Sequence, residues 1–177
     1  MEKWGIDVES LYEAALSNTA AQEPAQINSM MSVFYDGEEP LAPEEVFGEE
    51  GMYILSNPHK SNGAAVMLYP GLLQSIAEAT QSGFYILPSS IHEVLLIKEG
   101  NGMDAEELQS MVMEINQREV LPQEVLSNQV YFYDGKEQKL SMATSPEAAM
   151  KLSGNREMDS AGYGETETGS MEEEMER

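Results

Sequence analysis

The residues best suited to chemistry are Ser89, Ser90 and His92, which lie with Glu93 within five positions. A hydroxyl, an imidazole and a carboxylate are the groups of a hydrolytic triad, so a hydrolase using His92 with Ser89 or Ser90 is one hypothesis. A triad also needs convergence in space and an oxyanion hole, and His92 and Glu93 would point to opposite faces of a strand. We favour a turn in which the hydroxyls bind nearby backbone groups.

The chain carries no other signature of catalysis or of cofactor binding. His59 is the only other histidine and there is no cysteine, which leaves little from which to build a zinc site. The aromatic run Tyr131, Phe132 and Tyr133 could stack on bases, but no basic stripe accompanies it, so strand packing is the better interpretation. We therefore predict a non-catalytic protein without catalytic residues, metal or cofactor.

Charge is the most unusual property of the sequence. Its 177 residues include 32 acidic and 9 basic side chains, for a net charge of −23. Such a chain is repelled by nucleic acid and by anionic membranes and is attracted to basic protein surfaces. Solubility alone is the alternative explanation of the charge. No secretion signal or membrane span is recognisable, so we expect a cytoplasmic protein.

An acidic connector is the candidate partner-binding segment. It runs from 38 to 50, and no Lys or Arg occurs between Trp4 and His59. Carboxylates spaced along a surface can occupy sites meant for phosphates. The candidate contact residues are Glu38, Glu39, Glu44, Glu45, Glu49 and Glu50.

Short apolar runs between residues 51 and 97 predict a small sheet with a helix packed on it. We expect strands at 52–56, 64–68, 84–87 and 93–97, with a helix from about 70 to a cap at Gly83. The unbroken apolar run in the fourth strand predicts a central strand buried on both faces. A capping box at Asp104 and Glu107 begins a further helix that ends near Arg118. A hairpin follows, with strands at 129–133 and 139–143 and a tight turn at Asp134 and Gly135.

The N-terminal segment predicts two helices. Asp7 is a good N-cap for a helix over 7–17, with Val8, Leu11, Tyr12 and Ala15 at helical spacing. Pro24 opens a second, whose apolar stripe contains Ile27, Met30, Met31 and Phe34. The fold class is therefore α+β, with a mixed or antiparallel sheet of five to six strands and two helices packed on it. We divide the chain into an N-terminal helical segment (1–47), an α+β core (48–145) and a flexible acidic tail (146–177).

Several segments of the chain form a recognisable set: 52–57, 63–70, 84–96, 104–108 and 120–127, preceded by Trp4-Gly-Ile-Asp and Leu11-Tyr-Glu-Ala-Ala. The most specific of them contains Leu-Pro-Ser-Ser-Ile-His-Glu. Together they resemble a known but uncharacterised family, a domain of unknown function from anaerobic gut bacteria and their mobile elements, and the resemblance covers roughly residues 3–140. Members are usually longer, so the chain looks like a C-terminal half.

The resemblance implies no reaction, but it does imply a mobile-element context, in which small acidic proteins often disarm host defences. Together with the charge, it leads to the hypothesis of an anti-CRISPR-like inhibitor that occupies the basic surface of a nucleic-acid-handling protein. An RNA-guided nuclease, with its positively charged channel, is a concrete candidate partner. The alternative is an intracellular adaptor or regulatory domain that binds a protein through a sheet edge or a helix face.

Overall fold

The chain folds around one six-stranded antiparallel sheet with the strand order β1-β2-β4-β3-β5-β6. The computed structural model describes residues 5–30, 40–41, 46 and 51–144. An α+β fold with a sheet of five to six strands is confirmed. The helices are α1 (Val8–Gln22), a 3₁₀ helix (Gly63–Leu68), α2 (Leu72–Thr80) and α3 (Ala105–Arg118); the strands are β1 (Gln26–Ser29), β2 (Met52–Ser56), β3 (Phe84–Leu87), β4 (Val94–Lys98), β5 (Tyr131–Asp134) and β6 (Lys139–Met142).

Strand β4 lies in the interior of the sheet, between β2 and β3. Its four apolar residues, Val94 to Ile97, are all buried. Val94 and Leu96 face one hydrophobic cluster while Leu95 and Ile97 face the other, as the alternation of side chains along a strand requires. The prediction of a central strand buried on both faces is confirmed.

Each face of the sheet is covered by a different layer. One face packs against α2 and the 3₁₀ helix, through Val66, Leu73 and Ile76. The other packs against α3, through Leu108 and Val112. The buried residues of the described part include no Asp, Glu, Lys or Arg, so the charge lies outside both clusters.

Helix α3 begins as its sequence predicts. Asp104 accepts hydrogen bonds from the backbone N–H groups of Glu106 and Glu107, and the Glu107 carboxylate accepts one from the Asp104 N–H. This reciprocal pairing satisfies donors that a helix terminus otherwise leaves free. The predicted capping box is confirmed.

Helix α2 ends differently from its prediction. Gln81, rather than Gly83, takes the left-handed conformation after the last turn. Gly83 instead lies where the chain enters β3, and an added Cβ there would be 2.6 Å from the Phe132 ring. The glycine is therefore required by close packing against β5 rather than by a helix cap.

Two predicted elements are wrong in type. The predicted second helix from Pro24 begins instead with strand β1, in which Ile27 and Ser29 are buried and pair with β2. The predicted strand at 64–68 is the 3₁₀ helix. In both places a short apolar run fits a strand and a helix equally well, and tertiary pairing decides between them. Met31 and Phe34 lie outside the described residues.

Helix α1 begins at its predicted N-cap, because the Asp7 carboxylate accepts a hydrogen bond from the Ser10 N–H. It continues to Gln22, beyond the predicted end, and none of its residues is buried. Val8, Leu11 and Tyr12, whose spacing predicts the helix, are exposed.

The connection between β5 and β6 differs from its prediction. Residues 135–138 form a four-residue loop between β5 and β6, with Asp134 opposite Lys139, so the connection is longer than the predicted tight turn.

The predicted flexible tail lies outside the described residues. Among the helices that are described, none has the length and apolar character needed to cross a membrane.

The two helix caps should differ in their effect on stability. We expect Asp104→Ala to lower the free energy of unfolding by about 1 kcal/mol, because α3 packs on the sheet and loses two cap bonds. Asp7→Ala should leave the global free energy nearly unchanged, because α1 buries no residue and can fray alone. Urea unfolding followed by far-UV circular dichroism measures the free energy of unfolding of both variants. Equal losses of this free energy in the two variants would contradict the expectation.

Candidate functional site

The six glutamates predicted to contact a partner lie outside the described residues: Glu38, Glu39, Glu44, Glu45, Glu49 and Glu50. Three residues among these positions are described: Pro40, Leu41 and Val46. The Leu41 N–H donates to the Ile27 carbonyl of β1. Val46 is buried in the hydrophobic cluster between the sheet and α2, which also contains Val66, Leu73 and Ile76 and which we call the α2-side cluster. Leu41 thus lies at the β1 edge of the sheet and Val46 lies in the core.

His92 lies in a junction between two loops. Its Nδ1 accepts a hydrogen bond from the Asn62 N–H at 3.2 Å, and its Nε2 lies 3.5 Å from Glu124 Oε1. Because Nδ1 accepts, the neutral ring carries its proton on Nε2, toward the carboxylate. Both ring nitrogens therefore face partners in the neighbouring loops.

The two serines of the motif bind backbone groups. Ser90 Oγ accepts a hydrogen bond from the backbone N–H of His92, which is the turn predicted from the sequence. Ser89 is buried, and its carbonyl accepts from the Leu126 N–H. The carboxylate that faces the ring belongs to Glu124, not to Glu93. Sequence reasoning missed Glu124 because the contact spans 32 residues and leaves no local pattern.

The junction extends along both flanking loops. Residues 88–91 exchange backbone hydrogen bonds with residues 124–127, including the isolated bridge between Ser90 and Val125. On the other side, the Ser56 hydroxyl donates to the His92 carbonyl at 2.8 Å. The segment before β4 is therefore fixed from two directions, and we call this set of contacts the His92 junction.

Gly63 is the point of closest approach within the His92 junction. An added Cβ would overlap Ser56 Oγ and the His92 carbonyl oxygen and would lie 2.9 Å from the Asn57 backbone nitrogen. Two of these atoms form the hydrogen bond between Ser56 and His92. A side chain at this position must therefore displace backbone as well as a hydroxyl.

The predicted aromatic run packs within the sheet. Phe132 and Tyr133 are buried, with the Tyr133 ring stacked on Phe84 at 5.5 Å and the Phe132 ring tilted against Tyr85 at 5.1 Å. Tyr131 is half-buried against the α2-side cluster. Strand packing, the interpretation favoured from the sequence, is confirmed.

The C-terminal end of α1 is attached to the body of the protein at Glu23. The Tyr69 hydroxyl donates to the Glu23 carbonyl, and His59 Nδ1 lies 2.8 Å from the Glu23 carboxylate. Burial, and then the Glu23 carboxylate, raise the pKa of Tyr69 above its ordinary value. The attachment combines a half-buried hydroxyl with a contact at the surface.

The remainder of α1 forms a distinct surface of acidic and apolar side chains. The exposed fractions are 65% for Val8, 37% for Leu11 and 56% for Tyr12. The acidic residues of this helix are Glu9 and Glu13, with Asp7 at the N-cap. We call these six residues the α1 surface. Hydrogen bonds from the Ser10 backbone and hydroxyl lower the pKa of Asp7, so its charge persists to acidic pH.

A shallow depression of about 420 Å³ lies where the end of α2 meets β5. Its charged lining residues are Glu78, Glu99, Asp134 and Lys136. Asp134 Oδ1 accepts hydrogen bonds from the Lys136 and Glu137 N–H groups, which gives it a role in the hairpin loop. Nowhere in the described part do three His, Asp or Glu side chains come together to hold a metal ion.

Comparison with known proteins gives one match. The model of a family of unknown function, DUF5688, matches residues 1–135. The match includes α1, the His92 junction and strands β1 to β5. No curated protein and no solved structure matches this sequence.

The His92 junction yields a prediction about Gly63. We expect Gly63→Ala to lower the free energy of unfolding by about 1–3 kcal/mol, the usual range for overpacking, because the new methyl group separates Ser56 from His92. Gly51→Ala is the matched control, since its Cβ would meet nothing within 4 Å. Chemical denaturation measures both variants; a Gly63→Ala protein as stable as Gly51→Ala would contradict the expectation.

The attachment at Glu23 yields a prediction about alkaline pH. The raised pKa of Tyr69 means that the folded state keeps a proton that the unfolded chain releases above about pH 10. Stability should be complete below that pH and fall as pH rises through the folded pKa. We expect Tyr69→Phe to reduce this fall. Unfolding by urea at a series of pH values tests it, and an identical alkaline fall in the variant would refute the role of Tyr69.

Proposed function

Because the chain belongs to DUF5688, a family of unknown function, we propose a function from its own charge and surface. The protein is a non-catalytic acidic inhibitor that occupies the basic surface of a nucleic-acid-handling protein. In its most concrete form it is an anti-CRISPR-like inhibitor of an RNA-guided nuclease, acting in the cytoplasm of a gut bacterium that carries a mobile element. It binds protein rather than nucleic acid.

The observation that carries this proposal is the uncompensated charge. With 32 acids and 9 bases, at least 23 acids have no basic residue to neutralise them, however the chain is arranged. The described ranges contain 15 acids and 5 bases, a difference of 10, and none of these side chains is buried. A field of this size accelerates encounter with a positively charged partner.

The distribution of the acids along the chain indicates which region would contact a basic partner. In the described part, acidic residues occur near both α2 and α3, which cover opposite faces of the sheet, so the acids are not confined to one side. The longest stretch without Lys or Arg runs from residue 4 to residue 59 and holds 11 acids. It includes α1 and the six connector glutamates, which favours this stretch as the contact region.

The geometry at His92 supports binding over hydrolysis. A general base needs a free ring nitrogen within hydrogen-bond reach of its nucleophile. In the His92 junction, Nδ1 accepts from the Asn62 N–H and Nε2 faces Glu124, while the Ser90 hydroxyl binds backbone. The hydrolase hypothesis would require this junction to open.

An adaptor that binds through a helix face is the second candidate. The exposed apolar residues of the α1 surface favour it, because a stripe of this kind is a common anchor for a protein partner. In an adaptor the charge would only maintain solubility, so neutralising it would leave binding intact.

Neutralising the connector glutamates separates the two candidates. We expect the variant with all six changed to Gln (38, 39, 44, 45, 49 and 50) to lose inhibition of a guide-loaded nuclease by tenfold or more. We also expect binding of the parent chain to weaken strongly between about 50 mM and about 500 mM salt, because screening shortens the reach of each charge. Binding is measured by calorimetry and inhibition by cleavage of a labelled target.

The matched control also neutralises six glutamates, but on other parts of the surface: Glu78, Glu93, Glu106, Glu114, Glu119 and Glu137. It keeps the capping box and the His92 junction intact. Equal losses in the two variants would mean that total charge, not the connector, drives binding. A chain that fails to inhibit at any salt concentration, or whose binding ignores salt, contradicts the proposal.

A further inference from the structure

Helix α1 has little of the packing that normally supports a helix. It has 15 residues, none of them buried. Isolated helices of this length are marginal in water, and most helices in proteins are stabilised by burying an apolar face. Its cap at Asp7 and its attachment at Glu23 fix the two ends, but the face between them makes no such burial.

The exposed apolar residues of α1 lie toward its N-terminal end. Val8, Leu11 and Tyr12 have the spacing i, i+3, i+4 and are all exposed. Leu16 and Ala20 continue the i, i+4 row from Tyr12 toward the C-terminal end, where they are half-buried and Ala20 packs against the α2-side cluster. An amphipathic helix that binds in a groove presents its anchors in this way.

The charges beside the stripe identify the kind of partner. Glu9 and Glu13 are one turn apart and follow the edge of the stripe next to Tyr12, while residues 5–30 contain four acids and no Lys or Arg. A groove that accepts this helix must combine an apolar floor with a basic rim. A second copy of the chain does not fit, because each copy carries a net charge of −23.

We propose that α1 is a recognition helix, whose residues Val8, Leu11 and Tyr12 enter an apolar groove rimmed by Lys and Arg on the partner protein. The inference rests on the proposed function, because the basic partner comes from that proposal. The inference adds the three residues of α1 that anchor the partner. Tyr12 is the central anchor, since a tyrosine supplies a large rigid contact area at low entropic cost. The carboxylates set the orientation and the rate of encounter.

A designed peptide provides the probe. It is an amphipathic Leu/Lys helix with Leu at i, i+3, i+4 and i+7, compared with a scrambled peptide of the same composition that has no apolar face. We expect the full chain to bind the amphipathic peptide at least tenfold more tightly. The triple variant Val8→Ala, Leu11→Ala and Tyr12→Ala should abolish this preference while preserving the helix, because alanine is the strongest helix former.

A matched variant controls for the loss of exposed apolar surface. Met113→Ala, Leu121→Ala and Leu126→Ala removes three similarly exposed side chains near the opposite face of the sheet, and it should keep the preference. Amide hydrogen exchange of residues 8–22 is the second measurement. We expect fast exchange in the free chain and protection on addition of the amphipathic peptide.

The outcomes separate this inference from the proposed function. If the triple alanine variant keeps the preference, or if residues 8–22 are already protected in the free chain, the recognition helix is wrong. The six-glutamine variant could lose affinity for both peptides equally while the alanine variant keeps its affinity for both. The protein would then bind basic surfaces through its charge, without a contribution from α1. If the alanine variant loses the preference and the six-glutamine variant still inhibits, docking by α1 stands and the charge-based function fails.

Discussion

Strand β4 pairs with a neighbour along each edge and buries successive apolar side chains on opposite faces of the sheet, against different layers. A strand in this position leaves no surface for charge, so both layers must be apolar where they meet it. The arrangement determines where α2, the 3₁₀ helix and α3 can lie. The 15 acids of the described ranges accordingly lie outside the two clusters.

The approach to β4 is as constrained as the strand itself. The segment that leads from β3 into β4 passes through the His92 junction. There His92 is contacted by Ser56, Asn62 and Glu124. Buried Asn116 ties α3 to the same loop through the Ser127 carbonyl and the Asn128 side chain. Hydrogen bonds between polar groups fix the two loops here. Buried Asn116 donates twice through Nδ2, while its Oδ1 accepts no hydrogen bond in the described part of the structure. The motif that contains Ser89, Ser90 and His92 thus takes part in holding two loops together.

The elements that sequence reasoning found correctly are those with long or redundant signals. Helix α3 has a capping box and an apolar stripe, and β4 has an unbroken apolar run, so several signals agree. Ile27 and residues 64–68 have only short apolar runs, in which a strand and a helix fit alike until the pairing partner is known. Gly63 and Glu124 could not be recognised, because their importance comes from atoms brought close by the fold. Nothing in the spacing of α1 distinguishes a stripe that faces the core from one that faces outward.

Not every acid contributes equally to the field that a partner meets. Asp104, Glu106 and Glu107 lie at the start of α3, where carboxylates bind free N–H groups and offset the helix dipole. Asp134 binds two N–H groups of its hairpin loop. These carboxylates stabilise the fold and would be present in a protein with no acidic function. On α1, Asp7 serves as a cap and Glu9 lies in the first turn, as Glu106 does in α3, so the helix terminus explains both carboxylates. Glu13 lies beyond the first turn, beside an exposed apolar stripe on a helix that has no buried residue. This combination is the reason to test for recognition at α1 rather than across the acidic surface as a whole.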